Sequence, residues 1–116
     1  MTEDSRIYHM CPAEVWRAAR AAGVYHGGPQ DAADGFIHFS RRDQIRESAA
    51  KHRKGEAGLV LLEVDAEMLG DALKWETSRG GASFPHLYGT LPCDAVLTVR
   101  DLPLGPDGLH LFPASF

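Results

Sequence analysis

The run Leu59-Val60-Leu61-Leu62-Glu63-Val64 constrains this chain more than any other stretch. It is of strand length and nearly continuous in apolar residues, which predicts a central strand covered on both faces and forming the hub of the core. A chain of 116 residues has the size of one ordinary domain, so a single domain over residues 1–116 is expected.

The flanking segments read as a mixture of strands and helices. Ile7 to Met10 is a short bulky strand ending near His9. Cys11-Pro12 opens a helix to about Ala22, because proline suits the first helical position, and Gly23 closes it. Residues 23–35 hold Gly27, Gly28, Pro29, Asp31 and Asp34 and read as a long loop, which in a small domain points to a binding loop. Gly35 to Ser40 is the next strand, with Phe36, His38 and Ser40 on one face and Ile37 and Phe39 on the other. Ser40 followed by Asp43 is a near match to a capping box, so a helix is expected from Arg41 to about Lys54, closed by Gly55.

Downstream, Asp65 caps a short turn over Ala66 to Leu69, and Leu73 to Glu76 forms a short strand. A flexible loop from Thr77 to Ser83 leads into Phe84-Pro85-His86-Leu87-Tyr88-Gly89. Asp94 to Val99 is a further strand, and Leu109 to Pro113 adds an edge. The class is therefore α+β, with two main helices.

Composition narrows the function classes. With 44% hydrophobic and 24% charged residues the chain is that of a folded soluble domain. A net charge of -4 argues against a duplex nucleic-acid coat, although half of the twelve Lys and Arg residues sit between Arg41 and Lys54. That basic helix face, beside the helix start at Ser40 and Arg41, favours a phosphate or another anion. Cys11 and Cys93 make no CxxC pair and are expected to be reduced thiols. The polar N-terminal residues lack the apolar core of a signal peptide, and no window offers the roughly 20 apolar residues of a membrane helix. A cytoplasmic location without membrane partners is expected.

Three histidines, His9, His38 and His86, stand at strand ends or beside glycine-rich loops, where functional groups tend to be placed. His26, His52 and His110 have no such setting. No HExxH, GxSxG, GxGxxG or GxxxxGK[ST] pattern is present, so local motifs for zinc, a serine nucleophile or a dinucleotide fold are missing. What remains is a polar groove with imidazoles, Ser40, Arg41 and the tyrosines Tyr8, Tyr25 and Tyr88, suited to a planar or phosphorylated ligand.

The motifs Ile7-Tyr8-His9, Trp16, Gly35-Phe36-Ile37-His38 with Ser40, Gln44, Trp75-Glu76 and Phe84-Pro85-His86-Leu87-Tyr88-Gly89 carry a resemblance. Over Ile7 to about Val99 the chain resembles a bacterial domain-of-unknown-function family, number nine hundred and fifty-two. The resemblance implies a split, curved β-sheet similar to the ADP-ribosylation superfamily of NAD-using transferases and RNA 2′-phosphotransferases. It implies His9 at the nicotinamide ribose and His38 at the position of the stacking aromatic. Glu76 is the candidate for the glutamate of a late strand, although it precedes the Phe84 to Gly89 segment. Tyr8 stands where the phosphotransferase branch carries arginine.

The expected activity is thus a small-molecule site for NAD or a related nucleotide phosphate, with His9, His38 and Glu76 as catalytic candidates. Tyr8, Ser40, Arg41, His86 and Tyr88 are the ligand-contact candidates. A non-catalytic module for a small ligand or peptide, and a His-rich metal site, are the alternatives.

Overall fold

The computed structural model describes residues 5–77, 81–113 and 116. Strands β1 (Arg6–Pro12), β2 (Val24–Tyr25), β3 (Ile37–His38) and β4 (Leu59–Asp65) alternate with helices α1 (Ala13–Ala22), α2 (Pro29–Asp34) and α3 (Arg42–His52). Strands β5 (Leu73–Thr77), β6 (Ser83–Leu87), β7 (Leu91–Pro92) and β8 (Val96–Leu102) complete the chain, with 3-10 turns over Ala66–Ala72 and Cys93–Ala95. The class is α+β, with every strand pairing antiparallel.

The strands form three sheets, in the orders β1-β4-β8, β2-β7 and β3-β6-β5. The apolar run in β4 is the middle of the first. Its alternate residues separate into two cores: Val60, Leu62 and Val64 pack with Ile7, Cys11, Trp16, Tyr25, Ile37 and Phe39. Leu59 and Leu61 pack on the other side with Tyr8, Met10, Ile45, Ala49 and Leu102. This double burial explains why the strand lacks the polar alternation of a half-exposed one.

The first and third sheets meet where Tyr8 and Ser40 exchange backbone hydrogen bonds, both 2.8 Å. The seam brings the middle of β1 against the end of β3, and α3 packs over it.

Four expectations change. Residues 23–35 are not a loop, because they contain β2 and α2. Pro29 is the first residue of α2, and the Gly28 N–H donates to Asp31 Oδ2 at 2.6 Å, so the apparent breakers are a helix start. Ser40 does not cap α3. Its hydroxyl lies 3.1 Å from that of Ser48, while the Arg41 N–H is taken by Gln44 Oε1 at 2.9 Å. The strand expected from Asp94 begins at Val96 after a 3-10 turn, and Leu109 to Pro113 contributes only a bridge between Leu104 and His110. The loop expected between Thr77 and Ser83 lies partly outside the described residues. Among the described residues no helix is long and apolar enough to cross a membrane.

Candidate functional site

The pairing of β3 with β6 sets His38 directly opposite His86, and the seam with β1 brings His9 to the same place. All three line one cleft of about 550 Å³. Its border also includes Gln30, Asp31 and Asp34 of α2, Ser48 and His52 of α3 with Arg53 just beyond it, and Phe84 of β6.

His9 is 3% exposed and both ring nitrogens are occupied. Nδ1 faces the His38 carbonyl oxygen at 2.5 Å and must donate to it. Nε2 then accepts, at 2.7 Å, from the Tyr25 hydroxyl. Burial pushes the His9 pKa down and the Tyr25 pKa up, so a neutral imidazole receives a hydrogen bond from a protonated phenol. The Cys11 thiol, next to the Tyr25 hydroxyl, is pushed up to about 11, chiefly by burial, and is no nucleophile at neutral pH.

His38 is in the opposite condition. Nδ1 lies 2.6 Å from Asp31 Oδ1 and Nε2 lies 2.9 Å from Asp34 Oδ2. Both nitrogens donate, and the Asp31 hydrogen bond is the main cause that raises its pKa, with burial opposing. Burial alone would raise Asp31 as well. The hydrogen bonds from the His38 ring and backbone and from Gly28 outweigh it and hold the carboxyl at about 2. Asp31 is 4% exposed, whereas the His38 side chain is 38% exposed, so the pair joins a buried carboxylate to an imidazole that solvent reaches.

His86 lies on β6 with Nδ1 at 2.8 Å from Glu76 Oε1 on β5. The Tyr88 hydroxyl donates to the same oxygen at 2.7 Å. The His86 and Tyr88 hydrogen bonds hold Glu76 below the usual carboxylate range. Phe36 stacks on the His86 ring at 4.2 Å, and the His38 ring meets it edge-on at 5.6 Å.

Of the expected contact residues, Tyr8, Ser40 and His86 border the cleft together with His9 and His38, whereas Arg41, Glu76 and Tyr88 do not. Arg41 pairs with Asp43 at 3.0 Å. Other α3 cations are engaged too: Arg42 lies over Phe116 and Arg46 over Phe112. Sequence reasoning missed Asp31 and Asp34, which Pro29 and the acid two residues later could have signalled as a helix start. His52, set aside for want of a setting, borders the cleft. Among the described residues no group of three or more His, Cys, Asp or Glu is placed to hold a metal ion.

Comparison with known proteins adds the family. A family model described as "Protein of unknown function (DUF952)" matches residues 10–99. The chain is similar to protein CC0527 from Caulobacter crescentus, whose crystal structure is 50% identical, covers 91% of this chain and 93% of that one, and superposes with a TM-score of 0.88. The solution NMR structure of the same protein, 50% identical over 90% of each chain, superposes with a TM-score of 0.81. No curated protein matches the chain. A family match over most of the chain, joined to half-identical structures of almost the same length, shows that it belongs to the DUF952 family.

Proposed function

We propose that the cleft binds a small molecule and that its ligand class is NAD or a related nucleotide phosphate. The observation that carries the reading is the meeting of His9, His38 and His86 at one cleft of about 550 Å³. Ligand pockets commonly measure roughly 300–1,000 Å³ and hold a few convergent polar groups among apolar ones.

The charges divide in a way that suits such a ligand. Helix α2 offers Asp31 and Asp34, which favour ribose hydroxyls and the positive ring of oxidised nicotinamide. The α3 side offers Ser48, His52 and Arg53, which favour phosphate oxygens. Phe84 supplies an aromatic surface for a planar base. In the resemblance to ADP-ribosylating enzymes, His9 stands at the nicotinamide ribose and His38 at the position of the aromatic that stacks on nicotinamide, and both border this cleft.

Binding without group transfer is the second reading, and one observation favours it. Both nitrogens of His9 and of His38 already have protein partners, and Glu76 lies outside the cleft lining. A transferase needs a group free to meet the reacting atoms.

Thermal unfolding with NAD, ADP-ribose and a 2′-phosphorylated nucleotide tests the proposal. A ligand at 100 times its dissociation constant stabilises by about 2.7 kcal/mol. Stabilisation by one of the three supports the nucleotide class; no shift with any of them at millimolar concentration overturns it.

A further inference from the structure

The three cleft histidines differ in what their nitrogens are free to do. His9 uses one nitrogen on a carbonyl and the other on a phenol. His38 spends both N–H groups on carboxylates. Among the described residues, His86 alone of the three commits one nitrogen only, Nδ1, to Glu76.

Its other nitrogen belongs to a ring that borders the cleft. Among the described residues Nε2 of His86 meets no hydrogen-bond partner, and the buried side-chain atoms without a partner are Arg6 Nε and His110 Nδ1. The ring lines the cleft and its side chain is 13% exposed. A carboxylate accepting from Nδ1–H fixes the tautomer in which Nε2 carries the lone pair. Tyr88 donates to the same Glu76 oxygen, which holds that carboxylate in place. Phe36, stacked at 4.2 Å, and His38, edge-on at 5.6 Å, limit rotation of the ring.

We propose that Glu76 and His86 form the proton-accepting pair of this cleft, His86 Nε2 taking the proton of a hydroxyl-bearing ligand while Glu76 orients the ring from behind. The O–H bond of the ligand breaks, its electron pair stays on oxygen, and the proton forms the new N–H bond at Nε2. The Nδ1 proton remains against Glu76, whose carboxylate then faces an imidazolium. Glu76 is a positioning residue in this arrangement, which explains how it serves the cleft without bordering it. The inference rests on the cleft being the ligand site, and ribose hydroxyls of a nucleotide belong to the class it would take.

The tautomer and the reactivity of the free nitrogen are measurable in the protein without ligand. Long-range 1H–15N spectra of the full chain are expected to show His86 protonated at Nδ1 and not at Nε2 when the ring is neutral. Diethyl pyrocarbonate, followed by peptide mass, is expected to modify His86 about tenfold or more faster than His9 and His38, whose nitrogens are engaged. Glu76→Ala should shift the His86 tautomer ratio toward Nε2–H by about threefold, the range of an exposed charged contact. Tyr88→Phe, which keeps the Glu76 contact, should shift it less. A protonated Nε2 in the wild-type protein, an unchanged ratio in Glu76→Ala, or His38 modified as fast as His86 overturns the pair. The expected tautomer and rates without protection by NAD or ADP-ribose support the pair and count only against the nucleotide reading.

Discussion

Replacing Asp31 with asparagine keeps the shape of the side chain and removes the charge at the cleft that holds His38 and the Gly28 N–H. Oδ1 accepts from the His38 backbone N–H at 3.0 Å and from its Nδ1 at 2.6 Å, and Oδ2 accepts from the Gly28 N–H at 2.6 Å. An amide can turn its oxygen to His38, but its NH2 then faces the Gly28 N–H, donor against donor. Weakening charge-assisted bonds and leaving one donor unpaired in a buried place costs about 2–4 kcal/mol. For a domain of this size that lowers Tm by roughly 8–16 °C.

The pH dependence is the sharper test. His38 is raised above its ordinary 6.5, chiefly by its hydrogen bond to Asp31. A raised histidine contributes stability that is full below about pH 6.5 and is lost as pH rises through its folded value. Asp31, held at about 2 against an ordinary 3.8, contributes stability that is present above the ordinary value and is lost as pH falls toward 2. Both contributions are full between about pH 4.5 and 6.5. The gap in unfolding free energy between wild type and Asp31→Asn should therefore be widest near pH 5.5 and narrower at pH 9, as read by urea denaturation at about those values. An NMR titration should also show His38 moving back toward its ordinary value in the variant. A gap under about 0.5 kcal/mol at pH 5.5, or one of equal size at both pH values, refutes the assignment of this pair.

Other substitutions probe the layers around it. Tyr25→Phe removes the donor to His9 Nε2 and should cost about 1–2 kcal/mol in urea unfolding, because the nitrogen is buried and left unpaired. Gly27 and Gly35 both have positive φ, +93° and +86°, but a Cβ at Gly27 would stand 2.7 Å from that of Asp31 while Gly35 has open space. Gly35→Ala should therefore cost about 1 kcal/mol from the backbone alone, and Gly27→Ala at least about 1 kcal/mol more. Leu62→Ala, at a fully buried position of β4, should cost about 2–5 kcal/mol, and a loss below 1 kcal/mol would contradict its place in the core.

Much of the frame was legible because it depends on local pattern. The apolar run of β4 announced a strand buried on both faces, and the alternation of Phe36 and His38 with Ile37 and Phe39 assigned the faces of the segment around β3. Ile37 and Phe39 do lie in the core, while Phe36 and His38 meet His86 on the other face. The segment from Gly23 to Gly35 was misread for a physical reason. Gly27, Gly28 and Pro29 were taken as chain breakers, although a proline at the start of α2 loses no hydrogen bond and Asp31 reaches back to the Gly28 N–H. The same logic applied at Pro12 would have found the helix. Ser40 was misread in the converse way, since the seam with Tyr8 holds it in extended backbone and its hydroxyl turns to Ser48.

The candidate histidines show where sequence reading stops being local. His9, His38 and His86 are equal in the sequence, each an imidazole in or beside a short extended run. They acquire different states only from what the fold sets against them. A phenol and a carbonyl leave His9 neutral and closed, two carboxylates from a helix that the pattern concealed favour the charged form of His38 and close it, and a single carboxylate across a β-pairing leaves His86, among the described residues, with one nitrogen without a partner. The separation between His86 and Glu76 follows from β5 and β6 pairing so that Glu76 stands opposite Phe84, two residues before His86 on the same face. A one-residue slip of that register would turn His86 and Glu76 to opposite faces and leave the cleft without an oriented base. Whatever chemistry the cleft performs is therefore tied to a strand register and not to the histidine alone, so a change that shifts β5 against β6 should move the His86 tautomer ratio toward Nε2–H by about as much as removing Glu76 does, about threefold.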